Sequence, residues 1–277
     1  MKVRAISDLN SLSDQNFFSQ LSEGMNLIIE NCAKLNSEAQ ILRAQEKYRG
    51  FQILRNIAVE EASKFMILLD SVRCDRTSGS VFARQLRYFN DHLAKGIYSE
   101  YYEIKPATFK EVLNWVRIYR DRYYLDGPND VDWIFYNSIL FERENKMYVD
   151  YIEADDEHQW ISPQFQEDNY RALTPTILPL SIDMHACGFS KPESLEVIAS
   201  LWRPIEFNED FHWQDVLKMN NETIDQLINR TLLEEVSPER LSRVINKWLF
   251  PLHSIDLRIL ETKTDQLREE QNNWSPY

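Results

Sequence analysis

Only six glycines and ten prolines are spread over the 277 residues of this chain. Glycine supplies the positive-φ turns and close backbone approaches that β-sandwiches and phosphate-cradling α/β folds need. A chain so poor in breakers is expected to run in long helices. It is 43% hydrophobic and 12% aromatic, which is enough to build a core and excludes a disordered chain. No apolar run approaches the roughly 20 residues needed to cross a bilayer. Residues 1–14 lack the apolar core of a signal peptide. Cys32, Cys74 and Cys187 lie far apart and form no CxxC pair, so each is expected to be a small buried residue. A soluble chain in the reducing cytoplasm is the expectation.

Hydrophobic periodicity divides the first half into four helices. Phe17, Phe18, Leu21, Met25, Leu27, Ile28 and Cys32 predict one over about Asp14–Leu35. Ser37 with Gln40 reads as a capping box opening a second, to about Arg73, with Gly50 as a candidate kink. A third is expected over about Val81–Tyr102, and Thr108 opens a fourth reaching about Tyr124. The Asp126-Gly-Pro-Asn-Asp130 break suggests a boundary, giving a helical unit over 1–127 and an extension over 128–277. In the extension, residues 134–141 and 147–152 read as a β-hairpin. Residues 150–168 hold seven acidic residues and no Lys or Arg, and read as an exposed loop. Further helices are expected to start at Ser190-Lys-Pro-Glu193 and Ser237-Pro-Glu239. The predicted fold class is mainly α: an N-terminal helical bundle with a C-terminal helical extension carrying a small β-hairpin.

The net charge of −13 disfavours broad nucleic-acid binding. Residues 43–95 nevertheless hold ten basic and six acidic residues, a local +4 that could meet a phosphate backbone, although an ordinary solvated helix face explains it as simply. The chain has no Walker loop, GxGxxG, GxSxG or HExxH motif. Its five histidines show no spacing for a closed zinc site, so neither a metal nor another cofactor is expected. The remaining candidate is Arg87-Tyr-Phe-Asn-Asp-His92. A bland reading stands beside it: Arg87 and Asp91 are spaced i,i+4 as a surface ion pair, and so are Glu60 and Lys64.

The stretch ending Glu60-Glu61-Ala-Ser-Lys64 resembles the second helix of HEPN-superfamily proteins of the AbiV abortive-infection type. Gly24-Met-Asn26 and Asn31-Cys-Ala-Lys34 fit that family's first helix. Arg87 and His92 then fall where the family carries its Arg-x4-His motif. The likeness covers about residues 15–105. The position after the arginine, usually polar in active members, is Tyr88 here.

The resemblance implies a metal-independent endoribonuclease acting in phage defence as an abortive-infection protein or toxin. Cleavage through the ribose 2′-hydroxyl needs a base, an acid and a cation for the crowded phosphate. Histidine can serve the first two and an arginine fork the third. One pair per chain is thin for all three tasks, so a homodimer with facing Arg87/His92 pairs is expected. On one continuous helix, five residues advance about 500°, leaving both side chains to flank one edge. Glu60, Glu61 and Lys64 are candidates to orient that pair, with Tyr88, Asn90 and Asp91 as further supporting or RNA-contacting positions. RNA, a second copy and a phage-encoded trigger or neutralising protein are the expected partners, and no membrane. The alternative is a catalytically silent helical module that binds RNA or a protein. Tyr98, Tyr101, Tyr102, Tyr119, Tyr123 and Tyr124 are core or interface packing, or else a base-stacking surface.

Overall fold

The computed structural model describes residues 4–121, 123–124, 134–154, 157–163, 174–233 and 236–260, with 266, 269 and 273. The fold is mainly α-helical. A 3₁₀ segment (Ala5–Ser11) leads into α1 (Asp14–Ala44), whose first turn is capped by Ser13 Oγ accepting from Asn16 N at 3.4 Å. Helix α1 thus continues well past the predicted end at Leu35, and Ser37 lies inside it rather than capping the next helix. Residues 36–44 contain no breaker, so nothing stops the helix there. It ends where Lys47 N donates to Leu42 O at 2.9 Å, with Glu46 in the left-handed region at φ 59°. Glycine usually takes that position.

Helix α2 (Tyr48–Arg73) folds back along α1. Gly50 sits in its first turn, where an added Cβ would come within 2.9 Å of Leu42 Cδ1. It permits a close approach of the two helices rather than a kink. From Phe65 to Arg73 every residue of α2 is buried, the mark of a helix surrounded by protein. The helices α3 (Gly79–Arg87) and α4 (His92–Tyr101) pack on it, as do α7 (Ile177–Ala186) and α8 (Pro192–Trp202).

The expected third helix is therefore two helices. A 3₁₀ turn, Tyr88–Asn90, separates α3 from α4. Asp91 leaves the helical region at φ −92°, ψ 121° and caps α4, accepting from Ala94 N at 3.1 Å. Helix α5 (Phe109–Arg120) begins at Thr108, whose side chain accepts from Glu111 N, and stops short of the expected Tyr124. Tyr123–Tyr124 (β1) instead pairs antiparallel with Ile134–Tyr136 (β2). The predicted break at 126–130 lies outside the described residues.

The predicted hairpin is displaced. Asn137 caps α6 (Ser138–Asn145) by accepting from Ile139 N and Leu140 N, so the second half of the first expected strand is helix. The hairpin is β3 (Asp150–Ala154) against β4 (Glu157–Ile161), within the acidic stretch read as a loop. Alternation along Tyr151, His158 and Trp160 supplies cross-strand ring contacts that offset the weak strand preference of the acidic residues. The two proline-led helix starts stand as expected: Pro192 opens α8 and Pro238 opens α10 (Pro238–Lys247), with α9 (Trp213–Asn229) between.

After α10 the chain threads residues 248–257 into the core, burying Trp248, Leu249, Phe250, Leu252, Ile255 and Leu257. These side chains, those of α7 and α8, and those of α1–α4 belong to one hydrophobic cluster. Tyr98, Tyr101 and Tyr102 are fully buried in it, which makes them packing residues. The three cysteines are free and buried, as expected. Among the described residues, no helix is long and apolar enough to cross a membrane.

Candidate functional site

Helix α2 carries Glu60 about halfway along, before the fully buried segment begins. Across from it, the 3₁₀ turn ends and α4 starts with His92. Because Asp91 caps α4, His92 stands at its first position, with its side chain 44% exposed. Its Nδ1 lies 3.2 and 3.1 Å from the two Glu60 carboxylate oxygens. A carboxylate only accepts, so this contact places the ring proton on Nδ1. Nε2 is left with no hydrogen-bond partner among the described residues.

Glu60 is the hub of the site. Lys95 Nζ, one turn along α4 and 5% exposed, donates to its Oε2 at 2.7 Å. Arg143 Nε, from α6, donates to its Oε1 at 2.6 Å. Burial alone would raise this carboxyl. The Lys95 and Arg143 hydrogen bonds and the nearby charges of Lys95 and His92 outweigh that and hold it at about 2. Glu60 is therefore ionised at neutral pH.

Neither bland ion pair is formed. Lys64 pairs with Glu61 at 2.5 Å, not with Glu60, and its ammonium lies 5.2 Å from the Phe89 ring centroid. Asp91 is used as a helix cap, not as a partner for Arg87. Arg87 ends α3, exposed, without a hydrogen bond or ion pair to the described residues. Asn90 is exposed beside it. Arg87 and His92 thus belong to two helices joined by a turn, and the 500° helical advance does not describe their relation.

Tyr88 is 2% exposed. Its hydroxyl donates to Ile255 O at 3.3 Å and accepts from Leu257 N at 2.9 Å. Its hydrogen-bonding capacity is taken up inside the fold, tying the Arg87 end of α3 to the C-terminal segment. Among the described residues Glu61 reaches Lys64 only, so of the two glutamates it is Glu60 that meets the histidine.

His92, Glu60, Lys95 and Arg143 form one end of a cavity of about 600 Å³. Val59, Gly96, Ile118, Tyr119 and Ile139 give it apolar walls, and Glu100, Glu142 and Lys146 also line it. Helix α6 closes on α4 at Gly96, where an added Cβ would clash with Ile139 Cγ2. Lys95 and Arg143 are the site residues that sequence reasoning missed. Lys95 has a readable signal, three positions after His92 on the same helix face. Arg143 has none, since 83 residues separate it from Glu60. No group of His, Cys, Asp and Glu among the described residues is arranged to hold a metal ion.

A mainly α-helical bundle around a buried central helix is consistent with the HEPN class of fold. The chain belongs to the AbiV family of HEPN abortive-infection proteins, whose family model matches residues 20–170, more than half of its length. No curated protein and no solved structure matches it.

Proposed function

We propose that this chain is a metal-independent endoribonuclease of an antiphage system, acting as a homodimer in which Arg87 and His92 of two copies share one composite site. The Glu60–His92 contact carries the reading. An ionised carboxylate on Nδ1 fixes the tautomer in which Nε2 can take the proton of a ribose 2′-hydroxyl. The same nitrogen of a second, protonated copy can give a proton to the leaving 5′-oxygen. Arg87, whose charge no described residue neutralises, supplies the cation for the pentacoordinate phosphate. A phage-encoded trigger or neutralising protein fits the family's role.

Incubation with total RNA in EDTA tests the reading. Wild type should yield products ending in 2′,3′-cyclic phosphate or 3′-phosphate and leave DNA intact. His92→Ala and Arg87→Ala should each slow cleavage at least about a hundredfold, while unfolding at the wild-type temperature. A folded, dimeric wild type that binds RNA and leaves it whole would sink it. That outcome would support the second reading, a silent RNA- or protein-binding module. Two observations favour the second reading: Tyr88 is buried where active members carry a polar residue, and Lys95 and Arg143 are both already engaged by Glu60.

A further inference from the structure

The cavity beside His92 is polar in a directed way. Along α4 it is lined by His92, Lys95, Gly96, Ser99 and Glu100, one helix face. Eight residues of helix rise about 12 Å, the length scale of one nucleotide from its phosphate to the pairing edge of its base. The His92 end is cationic, with Lys95 and Arg143 behind the histidine. The far end carries the Glu100 carboxylate, with Glu142 beside it and the Lys146 ammonium close to both, 3.6 Å from Glu142. Between them lie the flat and branched apolar surfaces of Val59, Tyr119, Ile118 and Ile139. Tyr119 is itself braced by stacking on Trp115 at 4.2 Å. The side chains of Asn56, Ser99 and Glu100 line this space without a hydrogen bond or ion pair to the described residues, so their polar atoms are open to a ligand.

We infer that this cavity is a nucleotide subsite that seats the base on the 5′ side of the scissile phosphate, and that Glu100 selects guanine. The phosphate lies at the His92 end, the base between Tyr119 and the aliphatic wall, and the pairing edge at Glu100. A carboxylate accepts two parallel hydrogen bonds, and among the four RNA bases only guanine offers two adjacent donors, N1–H and the N2 amino group. Uracil presents one donor between two carbonyls, which the carboxylate repels. Apolar and aromatic contact with the base face adds affinity without choosing among bases. Asn56 and Ser99 are left to satisfy the guanine O6 and the ribose. The inference deepens the ribonuclease reading by naming its specificity pocket, but the pocket can bind a nucleotide whether or not the chain cleaves RNA.

The test is calorimetric titration of the full chain with 3′-GMP and with 3′-UMP, which carry the phosphate on the side that the proposal places at His92. Wild type should bind 3′-GMP at least about tenfold more tightly than 3′-UMP. Glu100→Gln, a change at an exposed position, should lose that preference by weakening 3′-GMP and not 3′-UMP. Ser99→Phe, which narrows the cavity, should weaken both. Equal affinity for the two nucleotides, no binding of either, or an unchanged preference in Glu100→Gln would overturn the inference. A chain that cleaves RNA through Arg87 and His92 without favouring guanine sinks the subsite alone. One that binds 3′-GMP selectively and leaves RNA whole keeps the subsite and sinks the nuclease.

Discussion

Helix α2 presents two carboxylates ten residues apart, and the fold treats them in opposite ways. Glu60 sits at the protein edge, beside a cavity, and gathers His92, Lys95 and Arg143. Asp70 is fully buried and gathers Arg73, the Tyr98 hydroxyl at 2.7 Å and the Leu252 amide at 2.8 Å. Arg73 extends the second network by donating to Leu249 O at 3.0 Å, and its guanidinium lies 4.6 and 4.8 Å from the ring centroids of Trp202 and Trp248. Every partner of Asp70 is buried with it, so that network holds the 249–252 segment against α2 and has no room for a ligand. The Glu60 network leaves an imidazole nitrogen in reach of solvent. The two networks differ not in the chemistry of the carboxylate or in its helix, but in whether one partner keeps an unused polar atom facing open space.

The largest effect is expected at the buried network. Asp70→Ala should cost about 3–5 kcal/mol, because it leaves the Arg73 charge uncompensated in the core. Urea denaturation would measure it, and a loss below about 1 kcal/mol would break the proposed contrast. Next comes His253, on the same buried side. Its ring nitrogens have no hydrogen-bond partner among the described residues, and burial, outweighing the pull of Asp70, pushes its pKa down to about 4. The unfolded ring takes a proton near 6.5, so the unfolded state binds more protons between the two values. Stability is therefore complete above about pH 6.5 and falls as the pH drops toward 4, by on the order of 3 kcal/mol. His253→Phe should flatten that stretch of the melting-temperature profile, and an unchanged slope would contradict it.

The smallest effect on folding is expected at the edge. Glu60→Gln should destabilise the chain by about 2 kcal/mol, because Arg143 and His92 can turn to water while the remaining amide oxygen can still accept from the buried Lys95. The Glu60 carboxyl is held at about 2, so its contribution is present above pH 4.5 and is lost as the pH falls through 2, a window below that of His253. If the cleavage reading holds, the same variant should slow RNA cleavage about tenfold by freeing the imidazole tautomer. A variant that folds and cleaves like wild type would show that the Glu60–His92 contact positions nothing.

Much of the helical frame is legible in the amino-acid sequence alone. The capping of α1 by Ser13, of α5 by Thr108 and of α10 by Ser237 follows local chemistry that a sequence displays. The misreadings share a cause. Glu46 holds the left-handed position that glycine would have announced, so the end of α1 carries no visible signal. The α3–α4 junction contains neither glycine nor proline. There Asp91 reads as an ion-pair partner when it is a cap. Short apolar runs such as Ile139-Leu140-Phe141 suit strand and helix alike, and the Asn137 cap decides for helix.

What the sequence determined by itself is the class of fold and the family. Scarce breakers and helical spacing dictate a bundle, and the Glu60-Glu61-Lys64 and Arg87/His92 segments mark the family, because both are short-range patterns. Only the tertiary structure decided that Glu60 rather than Glu61 meets His92, that Tyr88 is turned inward onto residues 255–257, and that Arg143 closes the site from α6. Those facts depend on which helix faces pack together, and that choice belongs to the whole core rather than to any window of the chain.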